Sequence, residues 1–177
     1  MSGVEQYLTF RLGHEYFGVR ILRVREIIEY SGITEVPLTP SYMRGVINLR
    51  GNVIPVVDLL LLFEGRPVEV SRRTCIVIVE LDSEAGLTLA GLMVDAVTEV
   101  ADLRAQDLDP PPAFSSHLKR EVIQALGKHQ EQVIIILNEN LLFSLEQISE
   151  LSDAAGRIEQ DAVPLLSTGP DTEDEKP

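Results

Sequence analysis

The sequence predicts a mostly β protein built from two similar small barrels. Alternating apolar residues, glycine-containing turns and a weak internal repeat carry this prediction. Leu8, Phe10 and Leu12 alternate with polar residues, which is the period of a half-buried strand. Residues 13–15 then provide a polar, glycine-containing turn into the apolar residues 16–19. This order of strand, turn and strand is typical of an antiparallel hairpin.

Two further hairpins are predicted along the chain. The apolar residues 46–49 and 53–57 flank Arg50, Gly51 and Asn52, which are suited to a hairpin tip. Residues 74–81 and 87–94 flank another polar turn in the same way. Residues 19–29 remain ambiguous, because their apolar positions also fit helical spacing.

Pro55 limits where its strand can lie. Proline has no backbone N–H to contribute to a sheet ladder. The strand that contains Pro55 is therefore expected either to lie at a sheet edge or to point that position outward.

The internal repeat relates residues 18–29 to residues 91–102, and residues 53–58 to residues 133–138. The offset between the copies grows from 73 residues to 80, as loop insertions in the second half would require. Two pairs of similar segments in the same order indicate two related structural units. We expect a first barrel at roughly residues 8–64 and a second at roughly 74–143.

The end of the chain differs from its body. Ser144 and Gln147 fit a capping box, and apolar residues follow at helical spacing, so a short helix is predicted at roughly residues 145–151. Residues 153–177 contain seven acidic and two basic residues together with glycine, proline and serine. This composition predicts a disordered acidic tail after a domain that spans residues 6–152.

Charge and hydropathy exclude several classes of protein. The net charge is -13, and no dense stripe of lysine and arginine is present, so nucleic-acid binding is not expected. The longest apolar runs, among them residues 59–63 and 133–137, are five residues each, whereas a membrane-spanning helix needs about 20. We expect a cytoplasmic protein without direct membrane insertion, in which the single cysteine, Cys75, acts as a small apolar residue.

The residues that could carry chemistry form no recognisable catalytic set. His14, His117 and His129 lack the spacing of metal ligands. Asp58 and Asp95 each follow an apolar run, where a catalytic carboxylate could sit. Asp58, however, aligns in the repeat with Asn138, which cannot titrate, so strand-terminating polar groups explain these positions better. No enzyme activity, metal or cofactor is predicted.

The most specific motif lies in residues 42–59. It reads Gly-Val-Ile-Asn-Leu-Arg-Gly at residues 45–51 and Ile-Pro-Val-Val-Asp-Leu at residues 54–59. In this motif the chain closely resembles the CheW family of chemotaxis coupling proteins. The resemblance continues through residues 16–19, 33–37 and 91–100, and it covers roughly residues 6–152.

This resemblance implies two intertwined Src-homology-3-like barrels, each of five strands, with short helices and no catalytic activity. It implies an adaptor between the cytoplasmic tip of methyl-accepting chemotaxis receptors and the regulatory domain of a CheA-type histidine kinase. Such an adaptor would be recruited from the cytoplasm to receptor arrays at the membrane. By motif position, the implied binding residues are Arg50, Glu26, Val24, Gly45, Asn48 and Gly51.

Four of the implied residues also have a simpler explanation. Arg50 fits a solvated turn, Glu26 fits a solvent-facing carboxylate, Val24 fits the core, and Gly45 fits a backbone turn. Since Glu26 and Arg50 are both assigned to one binding surface, we expect the carboxylate to hold the guanidinium in place.

Other functions stay open at this point. Leu60, Leu61 and Leu62 stand where the family commonly carries basic residues, which leaves open a coupling protein of a parallel pathway, such as surface motility or second-messenger control. A detached CheA-like regulatory domain is a further alternative. Composition also permits a small ligand-binding barrel.

Overall fold

The computed structural model describes residues 3–83, 85–111 and 122–142. Strands dominate these residues, as the sequence predicts. The strands are β1 (Glu5–Leu12), β2 (Glu15–Arg20), β3 (Val24–Glu29), β4 (Met43–Leu49), β5 (Asn52–Asp58), β6 (Cys75–Ser83), β7 (Gly86–Val94), β8 (Ala96–Leu103), β9 (Leu108–Asp109), β10 (Ile123–His129) and β11 (Gln132–Leu137). The helices are α1 (Leu59–Glu64) and α2 (Glu139–Leu142), with 3₁₀ turns at Ile21–Arg23 and Ala105–Asp107.

These strands form two sheets. The first sheet has the order β8-β1-β2-β11-β10-β9, and the second has the order β3-β6-β7-β5-β4. The expected five strands make up the second sheet, whereas the first gains a sixth strand, β9, of only two residues. The three predicted hairpins are confirmed as β1–β2, β4–β5 and β6–β7. The ambiguous residues 19–29 contain the end of β2, the first 3₁₀ turn and β3.

Each half of the sequence contributes strands to both sheets. The hairpin β1–β2 pairs with β8 and β11 from the second half of the chain. The hairpin β6–β7 pairs in turn with β3 and β5 from the first half. The first hairpin of each half thus pairs with strands of the other half. For this reason the expected boundary between residues 64 and 74 does not separate the two sheets.

The exchange preserves the internal repeat. Gly18 in β2 lies opposite Ile136 in β11, and Gly91 in β7 lies opposite Val56 in β5, in parallel register both times. The two sheets thus have the same arrangement, in which a hairpin from one half of the chain pairs in parallel with a strand from the other half.

The proline in β5 lies where the ladder needs no donor. Pro55 is opposite Val46 of β4, and the parallel pairing of β5 with β7 begins only at Val56. The edge alternative is wrong, because β5 lies between β7 and β4 in the sheet. Pro55 instead lies beyond the paired part of β5 on the β7 side, where no backbone donor is needed.

The main core contains residues from both sheets. Phe10, Val19, Ile54 and Leu92 are among its buried members. An aromatic stack crosses it, in which the ring centroid of Phe17 lies 6.2 Å from that of Phe10 and 5.6 Å from that of Phe63. Cys75 packs against this core in a half-buried position, and burial raises the pKa of its thiol.

The strand-terminating polar residues act as expected. Asp58 is fully buried, and its Oδ1 accepts a hydrogen bond from the Leu61 N–H at 3.0 Å, which caps α1. Asn138 plays the equivalent part, since its Oδ1 accepts from the Asn140 N–H at 3.1 Å. Within α1, Leu60 is buried and Leu62 packs on the core, so these leucines serve the fold.

Several predictions fall outside the described residues. They are the helix at roughly 145–151, the acidic tail at 153–177 and the position of His117. They stay predictions.

Candidate interaction surface

The tip of the β4–β5 hairpin is a tight two-residue turn. Leu49 pairs with Asn52, and the two residues between them have positive φ angles, 53° at Arg50 and 87° at Gly51. Positive φ at both central positions matches the hairpin turns whose twist suits the flanking strands. The side chain of Asn48 adds a hydrogen bond, because its Oδ1 accepts from the Gly51 N–H at 2.9 Å. The motif residues Asn48 and Gly51 therefore shape the turn that carries Arg50.

Arg50 and Glu26 are in contact, as expected from the sequence. Arg50 Nη1 donates a hydrogen bond to Glu26 Oε1 at 2.5 Å. This hydrogen bond, and then the attraction between the two charges, raises the pKa of Arg50. Since β3 and β4 are the edge strands of the second sheet, the pair ties one edge to the hairpin that ends the other.

The pair is arranged asymmetrically with respect to solvent. The side chain of Arg50 is 73 % exposed, whereas that of Glu26 is 25 % exposed. Among the described residues, Glu26 is the hydrogen-bond partner of the guanidinium, which has five N–H donors in all. Arg50 is thus held at one donor and presents the others to solvent.

Val24 and Gly45 lie deeper than this pair. Val24 is half-buried and packs against the main core, which favours the core explanation for this residue. Gly45 is buried with a φ of 146°, and a Cβ there would clash with the carbonyl of Thr34 and lie 2.7 Å from Ile33 Cγ2. The absence of a side chain lets Thr34 and Val46 exchange backbone hydrogen bonds of 2.9 and 2.8 Å. Gly45 therefore supports the strand that leads to the hairpin tip.

Two apolar side chains, one in β3 and one in β5, are exposed, and the sequence did not predict their exposure. Ile27, next to Glu26 in β3, is 42 % exposed, and Val53 in β5 is 39 % exposed. Sequence alternation assigns apolar residues to the core, so it gives no signal for apolar residues left at the surface.

The second half of the chain carries a modified copy of this arrangement. The β10–β11 turn also has positive φ at both central residues, 52° at Gln130 and 66° at Glu131. Glu99, the repeat of Glu26, lies 3.5 Å from His129 Nε2. A permanently charged arginine at the first tip thus corresponds to an uncharged glutamine at the second.

The carboxylates that could have carried chemistry serve structure instead. Asp58 Oδ2 accepts from the Val68 N–H at 2.9 Å and lies 3.5 Å from Arg44 Nε. Asp95 Oδ2 accepts from the Gly13 N–H at 2.6 Å. Within the part of the chain that the structure describes, no group of three or more His, Cys, Asp or Glu side chains could hold a metal ion. No helix in that part is long and apolar enough to cross a membrane.

Two cavities among the described residues lie away from the Arg50–Glu26 pair. One of about 420 Å³ is bordered by residues 3–6 and by Arg20, Ile21 and Leu22. Another of about 340 Å³ lies near Phe17, Phe63 and Ile135. Neither of these two cavities includes Arg50 or Glu26.

Taken together, the two sheets with exchanged hairpins and the exposed ion pair define a β scaffold that presents a charged hairpin tip. Comparison with known proteins identifies the family. The family model described as "CheW-like domain" matches residues 6–147. The chain therefore belongs to the CheW-like family.

Individual relatives agree with this assignment. The Chemotaxis protein CheW of Klebsiella aerogenes is 32 % identical over 151 residues, which is 85 % of this chain and 89 % of the relative. The Chemotaxis protein CheW of Helicobacter pylori is 33 % identical over 76 % of this chain and 78 % of its own. Among solved structures, the scaffolding protein TtCheW from Thermoanaerobacter tengcongensis is similar with a TM-score of 0.72 and 32 % identity, covering 82 % of this chain and 91 % of that one.

Proposed function

We propose that this chain is a non-catalytic adaptor that couples methyl-accepting chemotaxis receptors to a CheA-type histidine kinase. Its partners are the cytoplasmic receptor tip and the regulatory domain of the kinase. It works in the cytoplasm and reaches the membrane by binding the receptor. Relatives named as chemotaxis proteins and a structural neighbour titled a scaffolding protein support this proposal.

The observation that carries the proposal is the Arg50–Glu26 pair on its preformed turn. An arginine fork suits bidentate contacts with carboxylates, and its remaining donors face solvent. Because Glu26 and the turn already fix the side chain, less conformational entropy is lost when a partner binds. The pair therefore supplies a placed cationic contact for an acidic group on a partner.

Each other motif residue has a part in this surface. Asn48 and Gly51 shape the turn, Gly45 supports β4, and Val24 anchors the start of β3 in the core. In this proposal Arg50 and Glu26 touch the partner, and the other four residues place them.

Reconstitution of the three proteins tests the proposal. A receptor cytoplasmic fragment on vesicles is mixed with the kinase, with and without this chain, and both kinase sedimentation and kinase autophosphorylation are measured. We expect the chain to increase both while hydrolysing no ATP and accepting no phosphate. Arg50→Glu should remove the effect, whereas Gln130→Glu, at the equivalent turn of the second half, should keep it.

Two results would contradict the adaptor function. Kinase sedimentation and activity that are the same with and without the chain would exclude coupling. Stoichiometric phosphorylation of the chain would exclude a purely non-catalytic adaptor, and Asp58 and Asp95 would be the acceptors to substitute first.

A further inference from the structure

The chain crosses from the first sheet to the second through the 3₁₀ turn Ile21–Arg23, between β2 and β3. This turn has no buried residue and no side-chain cap. Leu22 at its centre is 84 % exposed. Ile21 packs against the main core in a partly buried position, so core packing anchors only the first residue of the turn, which leads directly into the strand that carries Glu26.

Arginines on either side of Leu22 are instead bound to acidic residues. Arg20 donates from Nε and Nη2 to Glu139 Oε1 at 3.1 and 2.6 Å. Arg23 donates from Nη1 and Nη2 to the two carboxylate oxygens of Asp82 at 3.2 and 2.7 Å. Arg23 Nε also lies 3.8 Å from Glu139 Oε1. The turn is thus held at both ends by charge-assisted hydrogen bonds.

The acidic partners are themselves linked. Asp82 belongs to β6 of the second sheet, and Glu139 and Asn140 belong to α2, which follows β11 of the first sheet. Asn140 Oδ1 accepts from the Asp82 N–H at 3.1 Å, and Asn140 Nδ2 donates to Asp82 Oδ2 at 3.4 Å. This junction of Arg20, Arg23, Asp82, Glu139 and Asn140 spans both sheets around the crossing turn.

The burial of Glu139 is not readily explained by a gain in the stability of the fold. Its side chain is fully buried, and its Oε2 makes no hydrogen bond to the described residues. A buried charge pair commonly contributes no more stability than well-packed apolar residues of similar volume. A carboxylate at this position is therefore better explained by a need to hold the crossing turn in one position.

We propose that Glu139 is a positioning residue, which fixes the crossing turn and through it the Glu26 end of the partner-binding surface. Val24 follows Arg23 directly, and a bulge in the pairing of β3 with β6 lies between Val24 and Glu26. Movement of the turn therefore shifts Glu26, whose 2.5 Å contact with Arg50 tolerates little displacement. The binding part of this inference rests on the proposed function, whereas the positioning part does not.

Glu139→Gln tests the inference, because it keeps the shape and one oxygen acceptor but removes the charge. Backbone hydrogen exchange should accelerate about tenfold at residues 21–26 and stay unchanged at residues 88–93 of β7. Affinity for the receptor tip should fall about fivefold. The matched control is Glu64→Gln, which removes a carboxylate paired with Arg66 at 2.9 Å on the surface and should change neither quantity.

Arg20→Lys decides the matter if Glu139→Gln does not fold, since it keeps the charge but loses the fork that binds Glu139. Unchanged exchange at residues 21–26, or an equal rise throughout the core, would overturn the positioning role. A local rise without loss of affinity would overturn its link to binding, provided that Arg50→Glu weakens binding in the same assay. If Arg50→Glu has no effect, the proposed function fails, and the exchange measurement still decides whether Glu139 positions the turn.

Discussion

Gly18 and Gly91 occupy equivalent positions in the two sheets, and each lies opposite a parallel strand from the other half of the chain. Both are glycines because neighbours approach closely. A Cβ at Gly18 would lie 3.2 Å from Ile134 Cγ2, and one at Gly91 would lie 2.8 Å from Ile76 Cγ2. The two halves of the chain are therefore mutually dependent for their sheets.

This dependence predicts how fragments of the chain behave. Residues 1–71 and residues 72–177, produced separately, should each lack a cooperative thermal transition, because each half leaves strands unpaired. Mixed together, they should recover β-type circular dichroism and a melting temperature that rises with concentration. A cooperative transition in either fragment alone would show that a half can fold by itself.

A side chain at Gly45 should destabilise the protein, because the backbone of Thr34 lies close to this position. Gly45→Ala should destabilise the protein by more than about 1 kcal/mol in urea unfolding, because the new Cβ meets the Thr34 carbonyl at a φ of 146°. Gly32→Ala is the matched control, since no atom lies within 4 Å of a Cβ at that position. Equal stability of the two variants would refute the proposed close approach.

Tyr7 predicts a late step in alkaline titration. Burial, followed by the nearby charge of Glu5, raises the pKa of Tyr7 to about 12. The folded state therefore keeps a proton that the unfolded state loses near pH 10, so the contribution of Tyr7 to stability is present below pH 10 and is lost as pH rises toward 12. Absorbance of ionised tyrosine should show this step in the wild type. Tyr7→Phe should abolish it, and a late step that persists in this variant would belong to another tyrosine.

The sequence predicted the local structure and the central pair well. Alternation and turn residues located the three early hairpins, because the side-chain period and the turn chemistry are local properties. The contact between Glu26 and Arg50 was also predicted, from a binding surface that the family resemblance assigned to both. The internal repeat alone did not predict that the halves exchange hairpins, because the period of a strand does not specify which strands pair.

The junction around Glu139 was not predicted. Glu139 is 119 residues from Arg20 in sequence, and a glutamate after an apolar strand gives no sign that it will be fully buried. Exposure of Ile27 and Val53 was missed for the opposite reason, because apolar residues in strands are expected inside. Both features depend on how the sheets meet, which no local pattern encodes.

In the proposed function the adaptor binds its partner through Arg50, so the affinity of Arg50 variants for the receptor tip is the most direct test. Arg50→Glu should leave the melting temperature nearly unchanged, because the side chain is 73 % exposed. Glu26→Arg should weaken binding as well, since it removes the carboxylate that places the guanidinium. Gln130→Glu, which places a glutamate at the equivalent turn, should bind normally.

A double-mutant cycle on Arg50 and Glu26 provides that test, with the Kd for the receptor tip measured for the wild type, the two single variants and the charge-swapped double variant. Arg50→Glu should raise the Kd about tenfold or more, and adding Glu26→Arg should recover part of that loss because the two side chains touch. Additive losses would show that the pairing does not matter for binding. An unchanged Kd in Arg50→Glu would contradict the assignment of this surface altogether.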